Sequence, residues 1–190
     1  HLTFAVPRVE VELRKIMKTA TVAEGPFAYR YPRGNGIGVP LEDEIKTVEI
    51  GKGELLRQGE DGLIVAIGVM VGEALEAAER LSKQGIEVGV IDARFVKPLD
   101  RELLLAQAAK VPLVVTAEEN ALQGGFGAAV LELFNDSGLS VPVIRIGIPD
   151  HFVEQGTQAE LRSQLGIDAD GMIVTIKKAL ATNQVQLSAG

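Results

Sequence analysis

Between Ala117 and Gly127 the chain reads AEENALQGGFG, two carboxylates and an amide followed by glycines that open an apolar helical run. Free backbone N–H groups near Gly125 to Gly127 could hold an anion at the positive end of a helix dipole. Adjacent carboxylates also suggest acid/base work. A simpler reading is internal: Glu118, Glu119 or Asn120 satisfies those N–H groups itself, and Gly125 and Gly127 are small so that helix and strand can approach. The residues favour this internal role. Neighbouring positions on a strand end point in different directions, which counts against a paired acid and base.

Three further places hold residues of chemical interest. In the loop after Asp92, Arg94 and Lys97 could meet a phosphate or pair with Glu118 and Glu119, and the ion-pair reading is preferred. Arg33 stands in YPRGNG, residues 31 to 36, where a guanidinium presented by a turn suits bidentate binding of phosphate or carboxylate. On the residues alone it reads as a solvated or inter-domain arginine, as loop arginines usually are. His151, in PDHFVEQGTQ, is the one internal histidine. With no second His or Cys beside it, it supports neither a metal site nor a nucleophile relay, and it reads as a loop residue that helps pack the terminal helices. Gly51-Lys52-Gly53 lacks the spacing of a P-loop, and no G-x-G-x-x-G opens a strand-to-helix unit, so nucleotide binding is unsupported.

The elements that must position these residues are α/β in character. With 46% hydrophobic and only 4% aromatic residues in 190, burial rests on Val, Ile, Leu and Ala, the residues of buried parallel strands and amphipathic helices. From residue 63 the pattern alternates strand and helix: strands at 63–69, 86–92, 112–117 and 141–146, and helices over 71–81, 100–108 and 125–135. That alternation predicts a mostly parallel sheet with helices on both faces. Thr157 and Glu160 stand in capping-box spacing, Gly166 stops that helix, and Asp168 caps a last one through Leu180. Residues 182–190 show no periodicity and read as a flexible tail.

Upstream, residues 2–6 and 27–31 read as strands around an amphipathic helix from Val11 to Ala20. An apolar strand-like run directly after His1 reads as the remnant of a domain whose other strands precede it. Between residues 32 and 62 glycines, prolines and acidic residues recur, with short strands only at 47–50 and 54–57. The expected division is therefore 1–40 as the end of one α/β domain, 41–62 as a linker, 63–181 as a complete domain and 182–190 as the tail.

Composition also excludes classes of partner. A formal charge of -7 and a pI near 5.0, without a Lys/Arg cluster, argue against nucleic acid. Absence of Cys removes disulfides and thiolate metal sites. No signal peptide and no membrane-length apolar run is visible, so the chain reads as soluble.

Five segments, YPRGNGIGV (31–39), IGKG (50–53), DARFVKPLD (92–100), VTAEENALQGGFGAAVLE (115–132) and IPDHFVEQGTQAEL (148–161), resemble in order and spacing the 1-deoxy-D-xylulose-5-phosphate synthase family of transketolase-like enzymes. The resemblance covers nearly the whole chain and implies a transketolase-type C-terminal domain preceded by the tail of the pyrimidine-binding domain. It further implies a homodimeric transferase that uses thiamine diphosphate and Mg²⁺, in the bacterial cytoplasm or plastid stroma. Such an enzyme condenses pyruvate with glyceraldehyde 3-phosphate and releases CO₂, supplying isoprenoid, thiamine and pyridoxal synthesis.

Arg33 matches the family arginine thought to hold the acceptor's phosphate, and no other residue is carried over. No GDG run, acceptor-site histidine or aminopyrimidine-activating glutamate is present, so this stretch alone is expected to be inactive and to bind neither cofactor nor metal. Its partners would be the upstream domains of the same polypeptide. Arg8 stands where the family has an acidic or small residue, so the first helix is expected to lack its cap. The alternatives are a separately encoded transketolase C-terminal half, a 2-oxoacid dehydrogenase beta-type subunit, and a non-catalytic dimer-assembly module.

Overall fold

A computed structural model describes the backbone of residues 1–188 and side-chain surroundings through residue 182. In chain order the elements are β1 (Thr3–Ala5), α1 (Glu10–Val22), β2 (Phe27–Tyr29), β3 (Glu54–Arg57), β4 (Gly62–Ala66), α2 (Met70–Ser82), β5 (Val88–Asp92), β6 (Phe95–Lys97), α3 (Arg101–Ala108), β7 (Val114–Ala121), α4 (Phe126–Asp136), β8 (Val143–Ile148), α5 (Gln158–Leu165) and α6 (Ala169–Ser188).

The larger sheet has the order β3-β5-β4-β7-β8, parallel throughout except for the antiparallel edge strand β3. Strands GLIVA and VGVID are buried along their whole length, as expected where both faces of a parallel sheet are covered. Alternation along the strands sends Ile64, Ala66, Val88, Val90 and Val115 to the face covered by α2 and α6. It sends Leu63, Val65, Ile91 and Val114 to the face covered by α3 and α4. Each helix turns its apolar stripe inward; Met70, Val71, Ala74, Ala77, Ala78 and Leu81 of α2 are all buried. The expected α/β sandwich is thus present.

The smaller sheet has the order β2-β1-β6. Strands β1 and β2 run parallel around α1, and β6 pairs antiparallel with β1. Its core is small: Ala5, Ile16 and Phe95 are fully buried against Phe27, Tyr29 and Val48. Strand β6, unforeseen in the sequence, is three residues long and follows β5 after two residues, too short a run for a periodicity to show.

Three sequence expectations need correction. Strand β3 lies in the stretch read as linker (41–62), yet it forms the edge of the larger sheet by pairing Glu54 with Asp92 and Leu55 with Ile91. Residues 47–50 form no strand. Helix α6 continues through Ser188, so most of the stretch read as a flexible tail (182–190) is helical; residues 189 and 190 lie outside those described. The helix ends around α5 follow the sequence signals: Thr157 and Glu160 form the reciprocal capping box, and Gly166 closes α5 at φ 64°. Asp168 Oδ1 accepts from Gly171 N at 2.9 Å. As the sequence led one to expect, α1 has no side-chain N-cap; Arg8 N instead donates to Glu12 Oε2 at 2.7 Å.

Candidate functional site

In the larger sheet the chain steps from β4 to β5 on one side and later to β7 on the other, so the loops after β4 and β7 diverge. This is the switch point where open α/β sheets form crevices. A cavity of about 230 Å³ lies there, between Ile67 to Val69 on one side and Glu118 to Asn120 on the other, roofed by Arg30 to Pro32 from the end of β2.

Glu118 dominates its floor. The side chain is 1% exposed, and its carboxylate accepts from Phe126 N at 2.8 Å and Gly127 N at 2.7 Å. The N-terminus of α4 is therefore occupied by an internal carboxylate, which is the internal role read from AEENALQGGFG. Burial pushes the Glu118 carboxyl up, against the two backbone N–H groups, which pull it down. Gly125 and Gly127 are tight: a Cβ on Gly125 would stand 2.1 Å from Ala121 O, and one on Gly127 would stand 2.4 Å from Thr116 Oγ1.

Glu119 faces the other way. Its carboxylate accepts from Arg162 Nε at 2.8 Å, and its carbonyl accepts from Arg30 Nη2 at 2.6 Å. Arg162 also reaches Glu73 Oε1 at 3.7 Å and, from Nη2, Gln158 Oε1 at 3.4 Å. Gln158 Nε2 then donates to the carbonyl of Arg33 at 2.8 Å.

Arg33 itself is exposed in the turn that leaves β2. The far side of this turn is held by Glu10 at the start of α1, whose Oε1 accepts from Gly38 N at 2.6 Å and Val39 N at 3.1 Å. The turn is therefore tied at both ends while the guanidinium faces outward.

The loop after β5 departs from expectation. Arg94 pairs with neither Glu118 nor Glu119: its Nε donates to Glu12 Oε1 at 2.6 Å and its Nη2 to Glu54. Arg8 joins them, with Nη2 on Glu54 Oε2 at 3.3 Å and Nη1 facing Asp92 Oδ2 at the same distance. Three carboxylates thus surround two guanidinia. Asp92 is fully buried, and burial, reinforced by the charge of Glu12, pushes its carboxyl up to about 8. Arg94 sits at φ 54°, a left-handed conformation unusual outside glycine, with its N–H on Asp92 Oδ1 at 3.0 Å. Lys97 lies exposed at the end of β6 rather than against Glu118 or Glu119. His151 is exposed too, in the loop between β8 and α5. Among the described residues no group of three or more His, Asp or Glu side chains is arranged to hold a metal ion, and no helix is long and apolar enough to cross a membrane.

The profile of the family described as "Transketolase, C-terminal domain" matches residues 51–172, well over half of the chain. The chain belongs to the transketolase C-terminal domain family. Among similar proteins, 1-deoxy-D-xylulose-5-phosphate synthase 1 of Geobacter sulfurreducens is 54% identical over 95% of this chain and 28% of its own length. The synthase of Syntrophotalea carbinolica is 50% identical over 93% of the chain, again 28% of that protein. The chain thus spans little more than a quarter of these relatives. A solved structure titled "Split gene transketolase, inactive beta4 tetramer" superposes with a TM-score of 0.84 at 37% identity, covering 95% of this chain and 57% of that one.

The matched transketolase C-terminal domain begins just before β3, which explains why that strand completes the larger sheet. Glu119, Gln158 and Arg162 lie inside the domain, whereas Arg30 and Arg33 lie outside it. The sequence missed the Arg8, Glu12, Glu54, Asp92 and Arg94 cluster. Asp92 ending an otherwise apolar strand was the available signal, since a charge in an unbroken apolar run has to be buried with partners.

Proposed function

We propose that this chain is the C-terminal portion of a 1-deoxy-D-xylulose-5-phosphate synthase, a thiamine diphosphate-dependent transferase that condenses pyruvate with glyceraldehyde 3-phosphate and releases CO₂. The reading rests on one observation above the others: identity of 54% to such a synthase extends over 95% of the chain, across both the transketolase domain and the segment before it. The separately encoded half, of which the split-gene transketolase is an example, has the lower identity of 37%.

Within that reading Arg33 binds the acceptor. Its guanidinium is exposed on a turn anchored by Glu10 and Gln158, so it offers two parallel N–H donors to the dianionic phosphate of glyceraldehyde 3-phosphate. Fixing the phosphate orients the aldehyde at the other end of the molecule, a positioning role without proton transfer. Thiamine diphosphate supplies the carbanion chemistry when bound. What supports placing that group elsewhere is that Glu118 already occupies the anion-binding N–H groups at the start of α4. Cofactor and Mg²⁺ would be held by the upstream domains of a cytoplasmic or plastid homodimer.

The test is Arg33→Ala in the full-length synthase. Loss of a charge-assisted contact worth about 1.5–3 kcal/mol raises the KM for glyceraldehyde 3-phosphate roughly 10- to 150-fold and leaves that for pyruvate unchanged. An unchanged acceptor KM removes Arg33 from the site.

A further inference from the structure

The RYPRG segment, residues 30–34, is gripped twice by the transketolase C-terminal domain. Arg30 Nη2 donates to the carbonyl of Glu119 at the end of β7, and the carbonyl of Arg33 accepts from Gln158 Nε2 on the first turn of α5. The two grips are not independent. Arg162, one turn beyond Gln158, donates to both Glu119 Oε1 and Gln158 Oε1, closing a chain of contacts that runs Arg30, Glu119, Arg162, Gln158, Arg33.

The chemistry of each link restricts its residue type. Gln158 donates at one end of its amide and accepts at the other, so the Arg162 contact fixes which way the amide faces and aims its NH₂ at Arg33. A carboxylate could accept from Arg162 but could not donate to a carbonyl. Arg162 is only 17% exposed and is itself fixed by Glu73 and Glu119, so it is a rigid post rather than a surface side chain. The reciprocal capping box of Thr157 and Glu160 sets the start of α5, and with it the position of Gln158.

We propose that Gln158 and Arg162 are positioning residues for the substrate arginine: the C-terminal domain acts in acceptor binding by holding the backbone of Arg33 through the Gln158 amide. This inference rests on the reading of Arg33 as the phosphate contact. It gives the domain a part in specificity through the backbone of Arg33.

The test measures steady-state kinetics of Gln158→Ala, Arg162→Gln, Arg33→Ala and the Arg33→Ala/Gln158→Ala pair in the full-length synthase. The acceptors are glyceraldehyde 3-phosphate and unphosphorylated glyceraldehyde. A backbone tether of this kind is worth about 3- to 10-fold. Gln158→Ala is therefore expected to raise the KM for glyceraldehyde 3-phosphate by that factor, with pyruvate KM and kcat unchanged and no effect on glyceraldehyde. The double variant should be no worse than Arg33→Ala alone, because the tether has nothing left to position. Arg162→Gln should follow Gln158→Ala in direction. If Arg33→Ala impairs the phosphorylated acceptor while Gln158→Ala leaves it within two-fold, the positioning role is wrong and the reading of Arg33 stands. An unchanged acceptor KM in Arg33→Ala overturns both. Equal losses with the two acceptors in Gln158→Ala would mark a general structural effect and overturn the inference alone.

Discussion

Arg94 Nε donates to Glu12 Oε1 at 2.6 Å, joining two residues 82 positions apart: one in the loop that follows the larger sheet's β5, the other on the helix that covers the smaller sheet. Glu12 is 5% exposed, so removing Arg94 takes away its charged partner and leaves the carboxylate only the N–H of Arg8. Arg94→Ala should destabilise the chain by about 2–3 kcal/mol. This is below the roughly 3–5 kcal/mol of a fully buried pair, because Arg94 keeps some solvent contact. Arg94→Gly should lose about 1 kcal/mol less, since glycine accepts φ 54° without strain. Urea unfolding of the two variants measures both figures.

Asp92 supplies a pH dependence with a definite sign. Its carboxyl is pushed up to about 8 in the folded state from an ordinary value near 3.8, so between those values the folded chain holds a proton that the unfolded chain has released. Folding is then favoured by this group at low pH, and its contribution falls as pH rises toward 8, by at most about 1.4 kcal/mol per pH unit. Urea midpoints measured from pH 5 to 8 should decline, and Asp92→Asn should flatten the decline. An unchanged slope in the variant would assign the proton elsewhere.

Glu118 serves two N–H groups at the buried start of α4. Glu118→Ala leaves both without a partner and should cost about 2–4 kcal/mol. Glu118→Gln keeps one acceptor oxygen and should cost less than Glu118→Ala, with amide hydrogen exchange at Phe126 and Gly127 accelerated in the same order.

Two glycines should respond in opposite directions. A Cβ on Gly127 would collide with Thr116 Oγ1 and press on Arg145 Cγ at 3.1 Å, so Gly127→Ala should destabilise by about 1–3 kcal/mol. Gly72, in helix α2, has nothing within 4 Å of such an atom, and Gly72→Ala should stabilise by about 0.5–1 kcal/mol. Thermal unfolding separates the two.

The larger sheet was legible because each of its parallel strands contains apolar residues in sequence and each crossover helix carries a stripe, so pattern and tertiary burial agree. Cap chemistry around α5 was equally plain: Thr157, Glu160 and Gly166 act through neighbours in sequence. What escaped were partnerships set by distance along the chain. Lys97 and Arg94 were matched to the nearest acidic strand end, yet the twist of the crossing brings Glu12 and Glu54 to Arg94 instead. Gln158 gave no signal at all, because a glutamine on an exposed first turn looks the same whether it faces water or a carbonyl 125 residues away. Arg33 could be named through resemblance, whereas the residues that hold it emerged only from geometry.

Strand β6 also bears on how the chain is made. The smaller sheet sets Phe4 opposite Lys97, so β1 leaves the ribosome with one of its edges unpaired. At about 5–20 residues per second, roughly 5–20 s pass before that partner emerges. Throughout that interval β1 offers a free row of backbone hydrogen-bonding groups to any other nascent chain. The register that unites the two sheets in the finished protein is thus a window of vulnerability during its synthesis.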